Sequence, residues 1–294
     1  MKNNKEKSLK EYLQEHYSQT SVQGYESIIL RYRTYMNDKA ETATYNDVLE
    51  YIGYLRKLQL HPKSLRNNLF AIKIYYRYLV ETEKRTDHPC QKLYLQDQIN
   101  RSIAVESLYS PVVLEELLKT HKAKNPSHQK RDEIIITLLI YQALTVLEIT
   151  QIELHQIDLE QGTVKITGNV KNKGRTLHLK SNQVMLFYNY IHEIRPIILQ
   201  ANKTESNLFL LSEAGKNIFP GIINRMINQE KKPHEKLIPM KIRQSVIAHF
   251  LKANNDIRVV QVFAGHRRAG STEEYKQSGL EELKANINKL HPLQ

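Results

Sequence analysis

Residues 265–275 read GHRRAGSTEEY and set His266 and Tyr275 nine positions apart, between an apolar helical run, DIRVVQVFAG, and a helical-looking tail, GLEELKANINKL. Taken alone, the stretch is either the end of an active site or a polar joint between helices. An imidazole and a phenol become a phosphate-directed pair only when cations join them, so the rest of the chain decides. Just upstream, MKIRQSVIAHFLKAN keeps apolar residues at helical spacing and carries Arg243.

The composition bounds what the partner can be. The 294 residues are 40% hydrophobic, enough for two domains that each bury a core. Against 31 acidic residues stand 43 Lys and Arg, a formal charge of +12 that favours a polyanion, most simply nucleic acid. The single cysteine, Cys90, has no partner for an internal disulfide or a paired metal site, which places the protein in a reducing, cytoplasmic setting. No apolar run approaches the roughly 20 residues of a membrane span, and the opening MKNNKEKSLKEYLQEH lacks an apolar signal core.

The pattern is mainly helical with one small sheet. SLKEYLQEH predicts a short leading helix. Three longer ones follow: SVQGYESIILRYRTYMND; TYNDVLEYIGYLRKLQ, capped by Asn46; and HPKSLRNNLFAIKIYYRYLVETEKR, started by Pro62. They make a bundle over residues 1–92. Periodicity breaks between Pro89 and Pro111, and residues 93–106 are read as a linker to a second domain, 107–294. That domain opens on a helix capped by Ser110, with Glu115 or Glu116 in its first turn, followed by the apolar QKRDEIIITLLIYQAL. TVKIT and RTLHL alternate as strands around a basic turn, and SNQVMLFYNYIHEIRPIILQ and FPGIINRMINQE return to helix.

A phosphodiester can be opened without metal when a tyrosine attacks phosphorus, cations hold the non-bridging oxygens and an acid protonates the leaving sugar oxygen. Arg243, His266 and Tyr275, with Lys171 and Lys173 on the basic turn, are the residue types that chemistry uses. In this order and context the chain resembles the tyrosine recombinase, or phage integrase, family, in particular its compact two-domain bacterial and transposon-borne members. TSVQGYESIILRYRTYM, TYNDVLEYIGYLRKL and HPKSLRNNLFAIKIYYRYLVE resemble the helical, SAM-like core-binding domain, and the remainder resembles the catalytic domain.

Carried over residue by residue, the family's second arginine falls on Arg243, its late histidine on His266 and its nucleophile on Tyr275. ALTVLEITQIELHQIDLEQG matches the segment of the first arginine and keeps Glu148, but Thr145 stands where the arginine belongs. Thr145 cannot give a bidentate, permanently charged clamp. Met240 replaces the histidine expected three residues before Arg243. The hairpin lysine falls on Asn169 without gaps, and on Lys171 or Lys173 after a small turn adjustment. Arg267, beside His266, is a candidate substitute cation and a DNA contact.

The resemblance implies site-specific DNA strand exchange through a 3′-phosphotyrosyl intermediate, with no metal or nucleotide cofactor. It implies double-stranded DNA as partner and a tetramer on paired sites, made of this chain alone or with a related recombinase. It also implies that Lys63, Arg66, Asn67, Lys73 and Arg77 of the first domain face DNA. The departures at Thr145 and Met240 leave a second reading open: a catalytically impaired member serving as an architectural or regulatory DNA-binding protein.

Overall fold

The computed structural model describes residues 7–98, 103, 107–170 and 172–275. The chain divides into two compact units, Met1–Asn100 and Arg101–Gln294, and the division falls inside the stretch read as linker.

Among the described residues the first unit holds four α-helices, α1 (Leu9–His16), α2 (Gln19–Met36), α3 (Tyr45–Lys57) and α4 (Pro62–Glu81). The apolar stripes read in the sequence face inward: Val48, Tyr51, Ile52 and Leu55 of α3 and Leu65, Leu69, Ile72, Tyr76 and Leu79 of α4 are buried. Pro62 sits at the start of α4, where its missing N–H would have had no helical partner. The cap of α3 is Thr44 rather than Asn46. Thr44 accepts from the Asp47 backbone, and the Asp47 carboxylate accepts from the Thr44 backbone at 2.7 Å, a reciprocal box that Asn46 cannot form from inside the first turn. Leu93 and Leu95 pack against this core, and Asp97 pairs with Arg56 at 2.8 Å.

The second unit opens on α5 (Pro111–Thr120) and α6 (Gln129–Tyr141). Ser110 caps α5 as expected, but Glu115 lies beyond the first turn and pairs with Lys119 instead. Helix α6 is buried at every position from Ile134 to Ile140, which is why that run is apolar all round apart from Thr137. A short α7 (Val146–Thr150) leads to an antiparallel sheet of β1 (Ile157–Asp158), β2 (Thr163–Ile166) and β3 (Arg175–His178) in sequential order. Val164 pairs with Leu177 and Ile166 with Arg175, so the inward positions of β2 face those of β3.

The stretch SNQVMLFYNYIHEIRPIILQ is not one uniform helix. It forms α8 (Ser181–Asn189), a π-helical turn (Tyr190–Ile194) and α9 (Arg195–Asn202). Pro196 has no N–H to donate to the preceding turn and its ring crowds the carbonyl there, so the wider turn falls where the α-helical ladder cannot continue. Helices α10 (Pro220–Ile227), α11 (Pro239–Lys252) and α12 (Ile257–Ala264) follow. Residues 270–275 are helical and end on Tyr275. The expected tail helix, GLEELKANINKL, lies outside the described residues. Among those described, no helix is long and apolar enough to cross a membrane.

Candidate active site

Helix α12 ends because Gly265 turns left-handed at φ 68°, a conformation that costs glycine little and other residues more. The same glycine is also closely approached. A Cβ there would lie 2.9 Å from Cζ of Arg175 and 3.0 Å from the Lys173 carbonyl. This close fit joins the hairpin between β2 and β3 to the segment that carries His266. The Lys173 backbone N–H donates to the Gly265 carbonyl at 2.8 Å, Asn172 and His266 form an isolated antiparallel bridge, and Arg267 donates through Nε and Nη2 to the Asn169 carbonyl.

Arg243 projects from α11 into the interior and is 4% exposed. Its guanidinium donates to the carbonyls of Ala143 and Ala264, and Nη1 lies 4.0 Å from the Glu148 carboxylate. Ala143 is itself held left-handed at φ 50°, so one of the two carbonyls that hold Arg243 comes from a strained residue. Burial is the largest influence on the guanidinium and lowers its pKa. Glu148 opposes that shift and Arg175 adds to it.

Thr145 is not an ordinary helix residue here. It is the N-cap of α7: its hydroxyl accepts from the Glu148 backbone, and its own backbone N–H donates to the Glu148 carboxylate at 2.8 Å. That carboxylate also takes 2.7 Å and 3.4 Å bonds from Arg175 and a 3.1 Å bond from Asn172. Burial alone would raise the Glu148 pKa, but the Arg175 bonds, the Thr145 backbone and the Arg243 charge outweigh it and the net shift is downward. Met240 is exposed near the start of α11.

His266 and Tyr275 meet through their rings, with centroids 6.1 Å apart and planes 19° from parallel. Burial, followed by the Arg243 and Arg175 charges, pushes the imidazole down to about 4, with Glu148 opposing. Burial pushes the Tyr275 phenol up to about 12 against the pull of Arg243. The structure therefore brings Arg243, His266 and Tyr275 into one electrostatic neighbourhood, with Lys173 on the adjoining hairpin. Lys171 lies outside the described residues.

Arg175 is the member of this neighbourhood that motif reading passed over. Its side chain is 2% exposed and bonded to Glu148 and to the Phe263 carbonyl, so it is enclosed and fully engaged. One signal was available: in RTLHL the alternation that buries Leu177 also buries residue 175, and an arginine at an inward strand position needs a buried acid.

In the first unit, Lys63, Arg66 and Asn67 line a concave face of about 780 Å³ with Arg31, Ser64 and Phe70. Arg66 reaches the Asp97 carbonyl at 2.6 Å. Lys73 is already engaged, donating to the Gln91 carbonyl at 2.9 Å and lying 4.2 Å over the Tyr94 ring. Arg77 is exposed. Among the described residues no cluster of three or more His, Cys, Asp or Glu side chains could hold a metal.

Residues 110–282 match the model of the phage integrase family, and residues 7–83 match that of the phage integrase N-terminal SAM-like domain. The chain is 26% identical to the tyrosine recombinase XerD of Staphylococcus saprophyticus, with 94% of this chain and 93% of the relative aligned. It is 24% identical to XerC of Bacillus subtilis, over 96% and 94% of the two chains. Among solved structures, XerH site-specific recombinase bound to a palindromic difH substrate shares the fold at TM-score 0.67 and 15% identity, covering 90% of this chain and 79% of that one. The Tn1549 transposon integrase in complex with a circular intermediate DNA does so at TM-score 0.61 and 14% identity, covering 93% and 97%.

Proposed function

The chain belongs to the phage integrase family of tyrosine recombinases, and from that premise we propose that it exchanges strands of duplex DNA at specific sites through a covalent phosphotyrosine. The observation that carries this reading is the meeting of Arg243, His266 and Tyr275 around a buried cluster whose formal charge is positive. Tyr275 gives up its phenol proton to solvent water as its oxygen forms the new bond to phosphorus and the bond to the 5′ oxygen breaks. Arg243 and His266 stabilise the non-bridging oxygens, and Lys171 or Lys173 protonates the leaving oxygen. The products are a 3′-phosphotyrosyl ester and a free 5′-hydroxyl, and attack by the 5′-hydroxyl of a second strand reverses the step without an external energy source.

Lys63, Arg66, Asn67, Lys73, Arg77 and Arg267 hold backbone phosphates in this reading, and the working assembly is a cytoplasmic tetramer on paired sites, of this chain alone or with a related recombinase. In the same reading the halves, 1–92 and 107–294 joined by 93–106, each contribute a DNA-contacting face, with the start of the joining segment packed on the first half.

A second reading, a member that binds DNA but cuts poorly, is favoured by Thr145. Its side chain is occupied as a cap, and the nearby Arg175 is already committed to the Glu148 carboxylate and the Phe263 carbonyl. A nicked suicide substrate that traps the covalent adduct separates the two. A Tyr275-dependent adduct, abolished in Tyr275→Phe, supports cleavage; tight duplex binding without any adduct supports the architectural role. Thr145→Arg gives up a cap worth about 1 kcal/mol and adds a charged donor, so it raises adduct yield about tenfold or more where the ancestral geometry survives.

A further inference from the structure

Thr272 is completely buried in the helical turn that ends on Tyr275, and its hydroxyl oxygen lies 2.9 Å from Nδ1 of His266. Among the described residues no other hydrogen bond reaches either the Thr272 hydroxyl or the His266 ring. Two arrangements of the proton between them are open in principle. If Nδ1–H donates, the threonine proton is left buried with no acceptor, having given up its water for nothing. If the hydroxyl donates, both groups are satisfied, because a neutral imidazole offers one acceptor nitrogen and one donor nitrogen. The second arrangement places the ring proton on Nε2.

We propose that Thr272 is a positioning residue that fixes His266 as the Nε2–H tautomer, the form able to donate the contact to a non-bridging phosphate oxygen described under the proposed function. The inference rests on the reading of His266 and Tyr275 as parts of one phosphate site. A separate observation agrees with it. His266 and Tyr275 touch by near-parallel stacking at 19°, and no hydrogen bond joins the imidazole to the phenol. The same contact also resists protonation of the ring, since an imidazolium Nδ1–H would take the Thr272 oxygen as its acceptor and leave the buried hydroxyl proton without one. Arg243 and Arg175 act in the same direction, Glu148 acts against them, and Tyr275 is neutral while protonated.

Three substitutions test the assignment in the full chain. Thr272→Ser keeps the donor, Thr272→Val keeps the shape and removes it, and Thr272→Ala removes both with the least risk of crowding. Ring nitrogen chemical shifts of labelled His266, assigned by their loss in His266→Gln, report the tautomer at neutral pH with no need for DNA or cleavage. Wild type and Thr272→Ser are expected to be Nε2–H, and the Val and Ala variants to gain Nδ1–H. Adduct formation on the nicked substrate should fall about tenfold or more in Val and Ala and stay within about threefold in Ser, the scale of one lost oriented donor.

A wild-type ring found as Nδ1–H overturns the proposal, as does an unchanged tautomer in both the Val and Ala variants. A shifted tautomer with an unchanged adduct rate overturns the donor role. If wild type forms no adduct, the cleavage reading fails by itself, and the ring shifts still decide what Thr272 does.

Discussion

Both units bury polar side chains at their centres, but of opposite kinds. In the first, Tyr32 and Tyr76 join hydroxyls at 2.6 Å and the Tyr76 hydroxyl donates to the Ala40 carbonyl at 3.0 Å, a chain of neutral dipoles that is closed in that each proton has an acceptor. In the second, Glu148, Arg175 and Arg243 bury one negative and two positive charges, with Glu148 and Arg175 2.7 Å apart. A closed dipole chain asks for nothing more. A buried cluster with one surplus positive charge is held by the carbonyl dipoles around it, and in the proposed function an anion completes it. Under the proposed function, the same difference separates a core that holds a fold from one that receives a phosphate.

The largest expected effect tests that contrast directly. Glu148→Ala leaves two guanidinium groups buried without a counter-charge and should cost about 3–5 kcal/mol in chemical denaturation, whereas Tyr76→Phe removes one neutral hydrogen bond at about 1–2 kcal/mol. Equal costs would erase the distinction between the two cores.

Next is Gly265→Ala, which places a side chain at φ 68° and within 2.9 Å of Arg175 Cζ. A loss of about 2–3 kcal/mol is expected, together with release of the hairpin measured by faster amide exchange at Lys173. A neutral substitution would mean that the hairpin and the His266 segment are not coupled through this contact.

The smallest effect is on pH dependence. His266 is pushed down to about 4 from an ordinary 6.5, so between those values the unfolded chain binds a proton that the native chain does not. Native stability is therefore full above 6.5 and is lost as pH falls toward 4. The loss is below about 2 kcal/mol once screening of a partly exposed ring is allowed for. Other histidines shift as well, so the reading is the difference between wild type and His266→Gln; a difference that does not change across this interval contradicts the burial assigned to the ring.

Much of the architecture was legible in the chain because it is encoded locally. Pro62 and Ser110 mark helix starts by what they lack or can accept, the stripes of α3 and α4 name their buried residues, and TVKIT and RTLHL alternate as strands. The exceptions lie where two local signals compete. Thr44 prevails over Asn46 because its partner at Asp47 answers it, and Pro196 interrupts a pattern that otherwise reads as continuous helix. Of the site, Arg243, His266 and Tyr275 stood out by type and spacing, while Arg175 and Thr272 did not. Their partners lie 27 residues away at Glu148 and six away across a tight turn at His266, and neither pairing has a periodic signature.

By itself the sequence determined that this is a basic, mostly helical two-part chain, because charge and helical period are properties of the chain alone, and its arginine, histidine and tyrosine stand in the order of the family it resembles. Only the tertiary structure decided that Glu148 closes on Arg175 as well as on its own cap, and that Thr272 holds the imidazole. Those outcomes depend on which buried donors and acceptors are left without water, and that is settled only when distant segments pack together.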